Sequence, residues 1–542
     1  MFEVVEDPTI GFLFLFLAIA LSLFTLHWLE IPIRDYHKTL CERWVFGIPW
    51  GTIVVVSLLF FVYLFVQRGY WHWNRPVMVA FTAVSMYDPT GWLFAGFSHS
   101  SPSHLRGNIT STLVFGPIVE WIWRHKPGNT HHPREPVWFR VPWIRAIVLF
   151  PAGILVIGVT AALFSWGPVI GFSVAVYALM GISLLHYPIV TLVALVARET
   201  IRIMWRTMTD PLVLAETVVR SVRPSWYGTA VQGHLVGLLL GVAIGITLVR
   251  YHRSRPSIPR LWLASILLGF YLSLWALWWI LGPEEFILFR AIGVGLIFLV
   301  AAVITLSVTL PYEEVVPARL SPHTVAIACL AVAIVGMGAI GIALNFATAE
   351  APETPVVMEV NDYEITYGEN VPDGMVNVLE FEALGLTTDV RTSGVIVYSE
   401  ERHVWRQTVS ASELETRGGG WFTVGGLGWS EEIRVQRAGW VPTGQEPVYQ
   451  IWMADQTQWN HAFASDPKTA QVRIAERTFT FSPEDGTFYL GVTYENETEW
   501  VEIPGIDETK TVQEVDITRQ GRHLIASYNG TDVSIATRER YN

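Results

Sequence analysis

Four polar residues stand in apolar stretches of the chain: His104, Asn108, Ser173 and His234. Together they supply a hydroxyl, two imidazoles and a carboxamide. Acyl transfer needs such a set, because it requires a nucleophile, a base within hydrogen-bond reach and donors for a developing oxyanion. Polar groups within membrane spans are costly and point to function. The four residues therefore predict a hydrolytic site that three spans supply.

Each of these residues alone has a simpler interpretation. A single serine in an apolar helix, such as Ser173, is usually a small packing residue, and a histidine such as His234 is often bonded to a backbone carbonyl. His104 and Asn108 share one helix face, which fits a polar packing stripe as well. The combination, at one predicted depth near water, is what favours chemistry.

The helices around these residues are predicted to pack closely. Three glycines spaced four residues apart follow His234: Gly237, Gly241 and Gly245. Such a row lets another helix approach closely. Tyr177 lies one turn after Ser173 on the same predicted face. The glycine row predicts that the helix of His234 lies directly against a neighbour.

The composition predicts a multi-pass membrane protein. The 542 residues are 51% hydrophobic and 15% charged, with a mean hydropathy of +0.38, whereas soluble domains are about 25% charged. Secretory signals begin with basic residues, and this chain begins with acidic ones, so the first apolar stretch is predicted to be a retained helix. About ten spans are predicted: 10–29, 47–66, 108–124, 143–165, 171–186, 187–206, 229–249, 261–281, 285–309 and 323–347.

The least defined boundary lies within 171–206. One long helix to about residue 197 is possible there, with a short helix near 209–223. We favour a turn at His186-Tyr187-Pro188, because proline suits the first turn of a helix and disfavours helical geometry in the preceding residue.

Loop charge predicts the orientation of the spans. Loops 30–46, 124–146 and 250–260 are basic and are predicted to be cytoplasmic, whereas the tip at 282–285 has no basic residue and is predicted to be outside. Counting through ten spans places both termini outside. The protein is therefore predicted to reside in the cell membrane with its C-terminal part outside.

Residues 351–542 differ in character from the rest. They contain 31 Asp and Glu against 14 Lys and Arg, and no cysteine, which argues against a nucleic-acid partner and a disulfide framework. Alternating segments such as 395–398, 471–474 and 488–492, separated by turns at 418–420, 484–486 and 529–530, predict an all-β soluble domain, either a sandwich or a barrel. Only four of the 36 basic residues of the whole chain are lysines, which is typical of halophilic archaea.

The motifs resemble the rhomboid family of intramembrane serine proteases. Three segments carry the resemblance in the family's order and spacing: His99 to Asn108 (HxxxxHxxxN) continued by Gly116 to Glu120 (GxxxE); Gly171-Phe172-Ser173 continued to Gly181; and His234 to Gly241 (HxxGxxxG). Two departures are visible. Val174 stands where the family usually has glycine, and Gly91-Trp92-Leu93 stands where the family's Trp-Arg pair is expected.

The resemblance implies a role for each matched residue. Ser173 would be the nucleophile and His234 its base, and Asn108 and His104 would bind the oxyanion. Supporting positions would be Tyr177, stacked on the histidine, with Gly171, Gly237, Gly241 and Glu120. The resemblance implies neither a triad acid nor a metal or cofactor. The predicted organisation is an extra helix and loop at 1–44, a six-helix core at 45–250, three more helices at 251–348 and an acidic β domain at 349–542.

These inferences predict an endopeptidase that cleaves single-span membrane proteins near the outer membrane surface. The alternative is a weak or inactive relative that binds transmembrane helices, and Val174 is the feature that favours it. A transporter is disfavoured, because the spans carry almost no Asp or Glu at mid-depth. The predicted partners are the bilayer and transmembrane substrates, and the β domain is hypothesised to select among those substrates. The sequence predicts no oligomeric state.

Overall fold

The structure is a computed structural model. It describes residues 8–28, 39–42, 44–123, 141–209, 231–252, 256–280, 286–309, 322–346, 348–374, 391–484 and 486–541. The chain divides into two compact units, of which the first comprises Met1–Trp279 and Phe286–Phe346, and the second comprises Ile280–Glu285 and Ala347–Asn542. Most of the loop residues whose charge predicts orientation, including 124–140 and 282–285, lie outside the described residues.

The first unit is helical. Its helices are α1 (Pro8–Trp28), α2 (Trp50–Phe61, continued by a π-helical turn at Val62–Val66), α3 (Pro89–Phe94), α4 (Pro102–Trp123), α5 (Phe150–Leu163, preceded by a π-helical stretch at Ile144–Leu149), α6 (Ser173–His186), α7 (Pro188–Thr209), α8 (Val231–His252), α9 (Ile258–Tyr271), α10 (Arg290–Thr309) and α11 (Pro322–Asn345).

Each predicted span overlaps one of these helices. By length and composition, four apolar helices in the described part of the chain can cross a membrane: Ile144–Leu163, Val231–His252, Arg290–Val308 and Thr324–Asn345. The preferred turn at residues 186–188 is present, because α6 ends at His186 and α7 begins at Pro188. The predicted span at 261–281 is wrong in its second half. Its helix ends at Tyr271, and Ser273 then adopts a positive φ of 56°, which a helix cannot contain.

The central helix of this unit is α6. Val174–Val176 and Ala178–Leu185 are buried, and α4, α5, α7 and α8 all pack against the helix. A helix that is apolar all round is stable only when neighbours surround it. Ser173, at its first position, is therefore held by the most enclosed element of the unit.

Glycines set the separation of α6 and α8. A Cβ atom at Gly181 of α6 would lie 2.5 Å from the carbonyl oxygen of Leu238, and a Cβ at Gly241 of α8 would collide with the carbonyl oxygen of Ala178. The two backbones are thus in direct contact, which only residues without side chains allow.

Strands make up most of the second unit, whereas most of one short hairpin belongs to the first unit. A short hairpin, β1 (Trp278–Ile280) and β2 (Phe286–Leu288), precedes α10, and the remaining strands follow α11: β3 (Val356–Val360), β4 (Tyr363–Pro372), β5 (Arg391–Ser399), β6 (Val404–Ser410), β7 (Gly419–Gly426), β8 (Trp429–Pro442), β9 (Val448–Ala454), β10 (Trp459–Ala464), β11 (Lys468–Thr469), β12 (Thr478–Glu484), β13 (Thr487–Tyr494), β14 (Glu497–Glu502), β15 (Thr509–Val512), β16 (Val515–Gln520), β17 (His523–Tyr528) and β18 (Thr531–Arg538).

Antiparallel pairing arranges the later strands in three sheets. The largest runs β10-β9-β8-β18-β17-β16-β15 with β7 paired to β8, and the others run β3-β4-β5-β6 and β11-β12-β13-β14. Phe479 and Phe481 of β12 share one buried cluster with Ile517 and Leu524 of the largest sheet. Two sheets that face each other across a shared core form a sandwich.

One local prediction for this unit is wrong. Residues 471–474 are not a strand, because Ala475 and Glu476 have positive φ angles and close a tight turn in which Ile474 pairs with Arg477. The unit also contains a short helix, α12 (Ala411–Arg417). The Ser410 side chain accepts a hydrogen bond from the Glu413 N–H, and Gly418 ends the helix in a left-handed conformation. These are the usual caps of a helix.

Candidate active site

Ser173 and His234 meet where two helices begin. Ser173 is the first residue of α6, and His234 lies in the first turn of α8. The His234 Nε2 atom lies 2.8 Å from the Ser173 Oγ atom, which is hydrogen-bond distance. An imidazole placed in this way can take the proton of the hydroxyl as the oxygen attacks.

The ring of Tyr177 stacks on the ring of His234. Their centroids are 4.1 Å apart and the planes differ by 18°. The His234 Nδ1 atom is buried and, among the described residues, has no hydrogen-bond partner. Aromatic stacking, rather than a carboxylate, therefore fixes the plane of the imidazole.

The first two turns of α4 bring His104 and Asn108 to the same end of the helices. Asn108 is 6% exposed. Its Nδ2 is buried and has no hydrogen-bond partner in the described part of the chain. Leaving a buried donor unpaired costs about 1–3 kcal/mol, so an unpaired amide is notable. Asn108 thus holds a free N–H donor inside the helix bundle.

His104 lies against the segment that leads into Ser173. A Cβ atom at Gly171 would lie 2.6 Å from Cε1 and 2.7 Å from Nε2 of His104. Gly171 also has a φ of +130°, which side-chain-bearing residues rarely adopt. The glycine therefore leaves the space that the imidazole occupies, and His104 Nδ1 lies 3.1 Å from Ser100 Oγ.

Backbone donors are also present at the start of α6. The first hydrogen bond within the helix runs from the N–H of Val176 to the carbonyl oxygen of Phe172. The N–H groups of Ser173, Val174 and Ala175 precede that bond, and the positive end of the helix dipole is located there. The arrangement offers a nucleophile, a base and several donors for an oxyanion.

Comparison with known protein families identifies one match. Residues 88–251 match the family model described as Rhomboid domain. The chain contains a rhomboid domain. No curated protein matches the chain, and no solved structure matches it. Rhomboid proteins are in general intramembrane serine proteases, and the described part of this chain has four helices that are long and apolar enough to cross a membrane.

The residues that match the Rhomboid domain model include every candidate catalytic and oxyanion residue. It begins just before α3 and ends within α8, so it includes all four polar residues with which the sequence analysis began. α2, which was predicted to belong to the core, precedes the match, and α9, α10 and α11 follow it.

Val174 of the rhomboid domain packs toward α8. Its side chain is 3% exposed, and a Cβ atom at Gly237 would lie 2.8 Å from its Cγ1. The residue that departs from the family pattern thus occupies space that Gly237 leaves open.

Two strand-like contacts fix the segment before Ser173. Ala83 and Val169 exchange backbone hydrogen bonds of 2.9 and 3.0 Å, and the N–H of Gly171 donates to the carbonyl oxygen of Ala95 at 2.9 Å. These hydrogen bonds attach the residues just before Ser173 to the region between α2 and α4, and so help to fix the position of Ser173.

The buried side chain of Gln67 organises that loop and was not singled out from the sequence. Its Nε2 donates to the carbonyl oxygens of Val77 and His99, and its Oε1 accepts from the N–H of His99 at 2.7 Å. Gln67 lies at the end of the π-helical turn that follows α2. A polar residue at the last position of an apolar run is the one signal that the sequence offers.

Glu120 lies far from Ser173. It is sixteen residues beyond His104 on α4, which is about 24 Å along a helix. Its carboxylate accepts hydrogen bonds from the N–H groups of Gly51 and Thr52 at 3.2 and 3.1 Å. A carboxylate at a helix N-terminus is favourable. The structure thus places Glu120 where it joins α4 to the start of α2.

The sequence analysis also missed a charged pair in the middle of α7. The interval 187–206 was interpreted as an apolar span, and the spans as nearly free of acidic groups at mid-depth. Arg198 and Glu199 lie about halfway along this helix and form an ion pair of 2.8 Å. The adjacent letters Arg-Glu, followed by Arg202, were the available signal.

Proposed function

We propose that the protein is an intramembrane serine endopeptidase with Ser173 as nucleophile and His234 as general base. The observation that carries this proposal is the 2.8 Å contact between Ser173 Oγ and His234 Nε2 within a rhomboid domain. A protein that only bound transmembrane helices would have no need of this contact.

In the first half of the reaction, Ser173 Oγ attacks the scissile carbonyl carbon while its proton passes to His234 Nε2. The carbonyl oxygen becomes an oxyanion, which accepts hydrogen bonds from Asn108 Nδ2, from His104 and from the free N–H groups at the start of α6. Collapse of this intermediate breaks the C–N bond, and His234 donates its proton to the leaving amine. The products are an acyl-serine and a new N-terminus.

In the second half, His234 takes a proton from water as the water oxygen attacks the acyl carbon. The second oxyanion occupies the same donors. Its collapse returns the proton from His234 to Ser173 Oγ and releases a carboxylic acid, which then loses its own proton to water. Tyr177 keeps the imidazole plane fixed through both proton transfers, which is consistent with its 4.1 Å stacking distance.

The substrates are proposed to be single-span membrane proteins that are cut near the outer membrane surface. Three helix N-termini, those of α4, α6 and α8, supply the site residues. A site at helix ends lies near the boundary of the bilayer, where water can enter, rather than at its centre. The loop charges predict that this boundary is the outer one.

A cleavage assay tests this proposal. The purified full-length protein in detergent is incubated with a labelled single-span substrate, together with the variants Ser173→Ala and His234→Ala. We expect one discrete cut by the wild type and none by either variant. Equal cleavage by Ser173→Ala would overturn the assignment of the nucleophile.

We further propose that the β-rich unit lies outside the cell, on the same side as Ser173, and selects substrates. The predicted count of ten spans and the basic loops support this placement. A cysteine introduced at Ile506, which is 64% exposed, should react with a membrane-impermeant maleimide on intact cells. Labelling that requires cell lysis would contradict the placement. Deletion of 353–542 should then change which substrates are cut.

A further inference from the structure

A polar cluster crosses three helices inside the first unit. Arg198 of α7 forms an ion pair with Glu199, and their side chains are 25% and 28% exposed. Arg198 lies near the middle of α7, about 15 Å along a helix of about 33 Å. Partly buried charges between helices are costly unless they are paired and hydrogen-bonded.

On one side the cluster reaches α4. Arg198 Nε donates to Ser111 Oγ at 2.6 Å. Ser111 Oγ in turn donates to the carbonyl oxygen of Gly107 at 2.8 Å. That carbonyl belongs to the peptide group between Gly107 and Asn108. A continuous hydrogen-bonded chain therefore connects the guanidinium with the backbone that carries the unpaired amide of Asn108.

On the other side the cluster reaches α9, which lies beyond the matched rhomboid segment. Arg198 Nη1 donates to the Tyr271 hydroxyl oxygen at 2.9 Å, and the Tyr271 hydroxyl donates to Glu199 Oε1 at 2.7 Å. Arg202 Nε donates to the second carboxylate oxygen, Oε2, at 2.7 Å. The guanidinium is thus held on both sides and cannot rotate freely.

The geometry of the cluster suits a positioning role. Hydrogen bonds to ionised groups are about twice as strong as those between neutral groups, and a low dielectric strengthens them further. An oxyanion donor must stay near the point where charge develops, and a displacement of about 1 Å can cost about 100-fold in rate. A fixed charge that restrains the peptide group before Asn108 meets this need.

We propose that Arg198 is a positioning residue that holds Asn108 in place through Ser111, and that Glu199 and Tyr271 hold Arg198. The inference rests on the proposed function, because it assigns Asn108 to the oxyanion. It also gives the appended helix α9 a part in the reaction.

A double-mutant cycle tests this inference on the full-length protein. Arg198→Met removes the guanidinium, and Ser111→Ala removes the link to α4 while leaving the ion pair intact. We expect each to lower kcat about tenfold with KM within about twofold, the pattern of a lost transition-state interaction. In an Asn108→Ala background the same changes should cost less than about twofold, because coupled residues are not additive.

Arg206→Met is the matched control, since Arg206 is exposed on the same helix. It should leave kcat unchanged. Equal losses with and without Asn108 would overturn the inference, because they would indicate a purely structural contribution.

Amide hydrogen exchange gives a second measurement that needs no turnover. Arg198→Met and Ser111→Ala should each speed exchange in the α4 segment around Asn108, whereas Arg206→Met should not. Unchanged exchange would contradict the positioning role. If the wild type never cleaves a substrate but the two variants still exchange faster around Asn108, only the proposed protease activity would be overturned.

Discussion

Gly237 lies directly against Val174. Val174 is the residue after Ser173 on α6, and Gly237 is three residues after His234 on α8. A Cβ atom at Gly237 would collide with the carbonyl oxygen of Val174 and lie 2.8 Å from its Cγ1. The backbones of α6 and α8 therefore cannot separate without changing the Ser173–His234 distance. The contact between these two residues fixes the spacing of the candidate dyad.

Gly237→Ala is predicted to lower activity strongly. The added methyl group meets backbone atoms, so α8 must shift and carry His234 with it. Overpacking of this kind costs about 1–3 kcal/mol, and the loss of kcat should exceed what that destabilisation explains. Cleavage rate and thermal unfolding are measured in parallel. Gly153→Ala on α5 is the control, because a Cβ there meets nothing within 4 Å. Wild-type rates for Gly237→Ala would contradict the close-packing argument.

Val174→Ala is predicted to reduce stability while activity persists. Burial of a valine side chain is worth about 1.5–3 kcal/mol, and that of Val174 is 3% exposed against α8. Val174 offers the proposed oxyanion site its backbone N–H, which the substitution keeps, and its Cγ1 packs against Gly237, so kcat should stay within about threefold of wild type. The unfolding midpoint and kcat of Val174→Ala are measured and compared with those of the wild type. A large rise in kcat would mean that Val174 obstructs the site.

Asn108→Ala is predicted to lower kcat by about 100- to 1,000-fold, as is usual when one oxyanion donor is removed. KM should change little, because the interaction forms only as charge develops. Steady-state kinetics on the labelled substrate measure both. Thr110→Ala, two residues further along α4 and with its hydroxyl bonded to its own helix, should behave as wild type. A change confined to KM would remove Asn108 from the oxyanion site.

The sequence could predict much of this site, because its determinants are local. His104 and Asn108 share a helix face by spacing alone, and the glycines after His234 predict a close helix contact. The contacts of Gln67 and Arg198 were not predicted. Their partners, His99 and Ser111, are distant along the chain, and hydropathy treats their own segments as apolar. Residues 471–474 alternated like a strand, but the turn at Ala475 and Glu476 prevents pairing with a neighbour.

Glu539→Gln is predicted to destabilise the β-rich unit by about 3–5 kcal/mol, the usual cost of breaking a buried ion pair. Glu539 accepts two hydrogen bonds from Arg437, at 2.7 and 3.1 Å, and their side chains are 6% and 5% exposed. Removing the carboxylate charge leaves the guanidinium buried without compensation. Calorimetry of the full-length protein measures the loss. Glu413→Gln, from a more exposed pair, should cost less than about 1 kcal/mol. Equal losses of stability in Glu539→Gln and Glu413→Gln would contradict the prediction.

The most direct test of the candidate dyad is labelling by a serine-directed fluorophosphonate. The reagent should modify the wild type at Ser173, as mass spectrometry of the labelled peptide can verify, because His234 activates the hydroxyl at 2.8 Å. Ser173→Ala should not be labelled, and His234→Ala should be labelled at least about 100-fold more slowly, since loss of a general base typically costs about 100- to 10,000-fold. Labelling of the wild type no faster than that of Ser173→Ala would contradict the account.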